Sequence, residues 1–182
     1  MIGYIVALMW GFAEATLFFI IPDVWISILA LESRETALLA CGYAVAGALA
    51  GGTIMYRLGR LDPQKWNSLL SKIPAIRIQD IHKVQSDLGT SGAKAVLFGP
   101  LFGIPYKLYA VNAHAVISLA AFLLISVPAR GIRFVFIALV TDFISRNWLA
   151  GFSSSTRIGI ILLLWAVVYA FYFSTRRQPS LK

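Results

Sequence analysis

Two long runs without a charged residue constrain this chain more than any other feature. Between Glu35 and Arg57 stands "TALLACGYAVAGALAGGTIMY", and between Arg157 and Arg176 stands "IGIILLLWAVVYAFYFST". Each run is long enough to cross a hydrocarbon core of about 30 Å as a helix. Composition agrees, because only 13% of the 182 residues are charged, against about 25% in soluble domains. The chain is therefore expected to be an all-α integral membrane protein, with no segment outside the membrane long enough to bury a core of its own.

The rest of the apolar sequence does not divide into whole spans. From Met1 it is interrupted by Glu14 and then by Pro22 and Asp23, and Ala95 to Tyr106 is only 12 residues long, broken by Pro100, Gly103 and Pro105. The two breaks repeat one core, "FFIIPD" and "LFGIPYK", ending on an acid and on a base. Short, Pro/Gly-interrupted apolar segments in corresponding positions of two halves are the sign of an inverted repeat. Non-helical backbone at membrane depth must be buried in protein or line a wet cavity. The expected fold is an inverted repeat of two re-entrant helical hairpins, each followed by a transmembrane helix, with a C-terminal transmembrane helix and short cytoplasmic amphipathic helices. It divides as 1–58 (first hairpin and span), 59–94 (cytoplasmic segment), 95–146 (second hairpin and span) and 157–176 (C-terminal span), within one membrane domain. The second span has two readings. Leu108 to Ala129 carries no charge and could cross with Arg130 at its end, or Tyr106 to about His114 returns from a hairpin and the span runs from about Val116 to Ser145. The repeat favours the second, which puts Arg130 and Arg133 at depth near a kink at Pro128.

Seven of the 16 bases lie between Arg57 and Lys94, and Arg176, Arg177 and Lys182 close the chain. By the positive-inside rule both regions are cytoplasmic. The patch contains no recognisable nucleic-acid-binding module, so the net charge of +8 is read as membrane orientation. Asp62 and Pro63 form a helix-start pair, followed by Trp66, Leu69, Leu70 and Ile73 at helical spacing. Ile78, Ile81, Val84 and Leu88 continue the pattern until Gly89. These stripes lie either in the lipid headgroup region or against the protein's own spans. Met1 is followed by no basic n-region and no small-residue cleavage site before Glu32, so no removable signal peptide is expected. A re-entrant first hairpin puts Met1 outside and a full crossing puts it inside. Cys41 is alone, which rules out an intrachain disulfide.

"FAEATLFFIIPD" followed by a small-residue span closing in "YRLGR", then "FGPLFGIPYK" followed by "FLLISVPARGIRF", resembles the DedA family of SNARE-associated, VTT-domain membrane proteins. The resemblance covers roughly residues 10 to 150. It implies a bacterial inner-membrane protein with two oppositely oriented re-entrant hairpins that moves lipids between leaflets, polyprenyl phosphates and phospholipids among them, in dependence on the proton motive force. The chain departs from the family pattern at Gly51 and Gly52, where many members carry an acid, and at Gly99 and Pro100, where an arginine is typical. Lys107, two residues after Pro105, stands in for a second arginine.

The candidate chemistry rests on five charges. Glu14 and Asp23 are carboxylates in apolar surroundings, where charge is costly unless paired or protonated. They are candidates for proton coupling or for interfacial acids. Lys107 is placed to receive a phosphate oxygen or pair with Glu14 or Asp23, or else to snorkel to the interface. Arg130 and Arg133 share a helix face, and two guanidinium groups suit a phosphate, although two interfacial anchors would look the same. Asp142 is a charge partner within the span or an interfacial neighbour of Arg146. His114 reads as a hydrogen-bonded hairpin residue, since His82 is the only other histidine and no Cys/His metal cluster exists. The Ala/Gly-rich stretch from Ala40 to Gly52 reads as a surface for close packing against a hairpin.

No nucleophile elbow, P-loop or H-E-x-x-H motif is present, so no enzymatic activity, cofactor or metal is expected. The leading expectation is a transporter or scramblase for lipids with an anionic phosphate headgroup, with a homo-oligomer left open. Lys107, Arg130 and Arg133 would hold the phosphate, and Glu14 or Asp23 would take up a proton and weaken that hold. The alternatives are a proton-coupled exporter of small cations and a non-transporting scaffold that recruits partners through its amphipathic segment.

Overall fold

The computed structural model describes residues 1–74 and 76–175. Arg176, Arg177 and Lys182, the C-terminal bases assigned above to the cytoplasm, lie outside the described residues, as does the last position of the expected 157–176 span. The elements are α1 (Ile2–Ala15), α2 (Asp23–Glu32), α3 (Arg34–Leu61), α4 (Pro63–Leu70), α5 (Ile78–Ser91), α6 (Ala93–Phe98), α7 (Tyr106–Asn112), α8 (Leu119–Asn147) and α9 (Ser154–Thr175), with single 3₁₀ turns at Gly99–Phe102 and Ala113–Ala115. No strand occurs among the described residues.

Three of these helices, α3, α8 and α9, have the length and apolar composition to cross a membrane, and the protein is a membrane protein by that criterion. Helix α1, with 14 residues, reaches only about 21 Å at 1.5 Å per residue, too short to cross alone. For the second span the longer reading holds. Helix α8 runs through Pro128, and Arg133 stands 14 residues from either end (133 − 119 and 147 − 133), so both arginines lie in its middle.

Local chemistry sets the breaks. Thr16 ends α1 by turning its hydroxyl back onto the carbonyls of Phe12 (3.1 Å) and Ala13 (2.9 Å), competing with the next helical turn. Residues 16–22 then form an irregular turn held by Trp10, whose indole N–H donates to the Ile20 carbonyl at 3.0 Å. Pro22 opens α2. In the second break the 3₁₀ turn ends at Gly103, whose φ of 79° belongs to the left-handed region that glycine enters without steric cost, and Pro105 opens α7.

Glycine also sets the packing of α3. A Cβ at Gly47 would run into the Leu8 carbonyl and the Phe12 amide of α1, and one at Gly11 into the Ala44 backbone. Nearer the other end of α3, Gly52 abuts the Tyr106 ring and Gly59 the Val111 backbone. One helix thus holds α1 along one stretch and α7 along another, at backbone distance. Helix α1 packs on α3 and α6 on α8, while α2 packs on both α8 and α3 and α7 on α3.

Helices α4 and α5 settle between the two readings of their apolar stripes. Leu70, Ile81, Val84 and Leu88 are buried in one cluster with Tyr56, Leu108 and Phe122, so most of each stripe faces the protein's own helices, while Leu69 and Ile78 stay exposed. Asp62 caps α4 as expected, accepting from the Lys65 amide at 2.9 Å. Gly89 does not stop α5, which continues to Ser91 and ends at Gly92 (φ 51°). The stop falls where positive φ is needed, and glycine inside a helix is tolerated at about 1 kcal/mol. A buried amide pair ties the segment to α7: Asn67 Nδ2 donates to Asn112 Oδ1 at 2.9 Å and Asn112 Nδ2 donates to Asn67 Oδ1 at 3.0 Å.

Candidate functional site

The two breaks meet. Lys107, one residue into α7, donates from Nζ to the Phe18 carbonyl in the first break. Beside this contact lies a cavity of about 400 Å³, and its lining includes all five charged candidates: Glu14, Asp23, Lys107, Arg130 and Arg133. The first two come from the end of α1 and the start of α2, the lysine from α7, and the arginines from the middle of α8.

The charges are paired in a definite way. Arg130 Nη2 donates to Glu14 Oε2, and the two side chains are 1% and 6% exposed. Arg133 holds Asp23 with two bonds, Nε to Oδ1 at 3.1 Å and Nη2 to Oδ2 at 2.6 Å. This parallel geometry is the strong form of an Arg–carboxylate contact. The acid and the base that end the two breaks therefore do not pair with each other. Asp23 belongs to Arg133, and Lys107 has no carboxylate within ion-pair distance among the described residues.

Arg130 is fixed from both faces. Its Cζ lies 4.8 Å from the Tyr106 ring centroid and 5.0 Å from that of Phe134, close enough for cation–π attraction on each side. Tyr106 is itself held, its hydroxyl donating to Ser126 Oγ at 3.0 Å and its ring stacked on Phe122. So the residue between Pro105 and Lys107 orients the guanidinium. One donor is left over: Arg130 Nε is buried without a hydrogen-bond partner. A buried unsatisfied donor costs about 1–3 kcal/mol, more when charged.

The fifth wall comes from α9. Trp165 Nε1 donates to Ser27 Oγ at 3.2 Å, the Tyr169 hydroxyl accepts from the Ile21 amide at 2.9 Å, and the Tyr172 hydroxyl reaches the Gly103 carbonyl at 3.5 Å. Helix α9 thereby touches both breaks. Sequence reasoning read this stretch only as a span. The signal was present as aromatic residues at 165, 169 and 172, one helical face. The remaining lining is mostly apolar, with Phe19, Ile21, Ile104, Ile137 and Val168 among it.

Other candidates fall elsewhere. Asp142 pairs with Arg146 at 2.8 Å, one turn along α8, and does not line the cavity. His114 Nδ1 lies 2.8 Å from the Val111 carbonyl. Among the described residues no group of three His, Cys, Asp or Glu side chains could hold a metal ion. No family model, curated protein or solved structure matches this chain.

Proposed function

We propose that the protein moves lipids with an anionic phosphate headgroup between membrane leaflets, as a DedA-like transporter or scramblase. On this reading α1–α2 and α6–α7 are the two re-entrant hairpins of an inverted repeat. The membrane is the bacterial inner membrane, and residues 59–94 and the C-terminus face the cytoplasm by the positive-inside rule. The observation that carries the proposal is the meeting of both breaks on one cavity that holds three cations against two carboxylates. Among the described residues Lys107 lacks an acid there, its ammonium resting on the Phe18 carbonyl. A phosphate oxygen supplies the counter-charge that Lys107 needs. The apolar remainder of the lining suits the start of a lipid chain.

The ion pairs give proton coupling a direction opposite to the one expected from sequence. Glu14 neutralises Arg130, so protonating Glu14 releases the guanidinium to the phosphate, and proton uptake goes with headgroup capture. A cation exporter is disfavoured because its substrate would enter a site of net positive charge. A recruiting scaffold is disfavoured because most apolar residues of α4 and α5, Leu69 and Ile78 excepted, are already covered by the protein itself. In reconstituted vesicles, exchange of fluorescent phospholipid or polyprenyl phosphate between leaflets is expected to depend on the protein, with and without a pH gradient as the test of coupling. Absence of exchange from folded protein would refute the proposal.

A further inference from the structure

We infer that the cavity is built for a single negative charge, and that it takes a phosphodiester headgroup in preference to a phosphomonoester. This rests on the lipid-moving reading above and chooses between the headgroup chemistries that reading allows. Among the described residues, the charged groups on the cavity wall, from each element that forms it, are Glu14 on α1, Asp23 on α2, Lys107 on α7, Arg130 and Arg133 on α8. Helix α9 contributes the neutral hydroxyls of Tyr169 and Tyr172.

The hydrogen-bond inventory divides the labour among the cations. Arg133 spends both of its forward donors on Asp23, so this pair is a clasp between α2 and α8 and leaves no charge to a ligand. Arg130 is neutralised by Glu14, and its Nε is buried out of reach of the cavity. Among the described residues of the wall, Lys107 alone carries uncompensated charge, with its ammonium on a neutral carbonyl. The ligand site is therefore Lys107 Nζ as counter-ion, beside the two neutralised Arg–carboxylate pairs. Two pairs cancel and one positive charge remains.

A phosphodiester carries one negative charge and brings the wall to neutrality. A phosphomonoester carries about −1.5 to −2 near pH 7 and leaves an excess negative charge in surroundings that solvate it poorly. Neutralising either carboxylate adds one positive charge to the wall, so the preference is set by Glu14 and Asp23 and can be moved by changing them.

The test is a binding comparison with purified full-length protein in nonionic detergent at pH 7.5, using phosphatidylglycerol and phosphatidic acid with identical acyl chains. Wild type is expected to bind phosphatidylglycerol about tenfold more tightly or better, from one unit of unbalanced charge in a poorly screened site. Glu14→Gln and Asp23→Asn are each expected to shift the ratio towards phosphatidic acid by about tenfold. Chain-free glycerophosphoglycerol is expected to compete weakly. Equal or reversed preference in the wild type, which needs no variant to fold, overturns the inference. So does a ratio that neither folded variant moves. Equal affinity for the chain-free diester would assign the site to soluble anions. Because binding and leaflet exchange are read separately, failure of the charge rule is distinguishable from failure of the transport reading.

Discussion

Removing the Arg130 guanidinium should cost far more stability than removing a comparable ion pair at the surface. In Arg130→Gln the Glu14 carboxylate, 6% exposed, stays buried without its counter-ion, and breaking a buried pair from one side costs about 3–5 kcal/mol. The flanking Tyr106 and Phe134 rings lose a cation that each attracts by about 0.5–2 kcal/mol. Nearby Lys107 offsets part of the loss through its own charge, so an expected value near 3 kcal/mol is reasonable from the low end of that range. The internal reference is Lys83→Gln, where the lysine side chain is 60% exposed and that of its partner Asp87 is 32% exposed, and the loss should stay below about 1 kcal/mol. The assay is reversible unfolding in mixed micelles for wild type, Arg130→Gln, Glu14→Gln and the double variant. The double variant should recover at least half of the single-arginine loss, because no unpaired carboxylate is left. Equal destabilisation by Arg130→Gln and Lys83→Gln, or strict additivity in the double variant, would refute the buried pair as described.

Three further outcomes follow from the packing and the site. Gly47→Leu should destabilise by about 2 kcal/mol or more by forcing α1 off α3, and thermal unfolding in detergent would detect it, whereas Gly42→Leu should be near neutral because nothing lies within 4 Å of the Cβ position there. Asn112→Leu should cost about 1–3 kcal/mol by leaving Asn67 with an unpaired buried amide, and protease sensitivity between residues 63 and 91 should rise with it. Trp165→Ala should loosen α9, whose only buried residue among those described is Ile161, and increase solvent labelling of a cysteine placed at Ile21 while the α3 and α8 core keeps its stability.

Much of the architecture was legible because membrane insertion leaves strong signals. Uncharged runs marked α3 and α9, and the prolines at 22 and 105 marked the starts of α2 and α7. The choice between two readings of the second long helix turned on treating Arg130 and Arg133 as mid-helix residues, and α8 has them there. Gly89 misled because a lone glycine is compatible with a helix whose face is buried, and the chain stops only where Gly92 takes positive φ. The five charges were each visible as exceptions in an apolar background. Which acid meets which base was not, because pairing depends on how α2 crosses to α8 and α7 to α3, and a single sequence carries no record of that exchange. The aromatic face of α9 was hidden for a related reason: in a lipid-facing helix, one more row of aromatic residues is unremarkable until its hydroxyls are seen to reach two distant breaks.

The central claim is that the meeting of the two breaks makes a phosphate site with Lys107 as its free cation. Leaflet exchange of a fluorescent phospholipid in vesicles, compared between wild type and Lys107→Ala of equal thermal stability, tests it most directly. The account predicts protein-dependent exchange in the wild type and its loss, by tenfold or more, in the variant. Equal exchange by both proteins would contradict it.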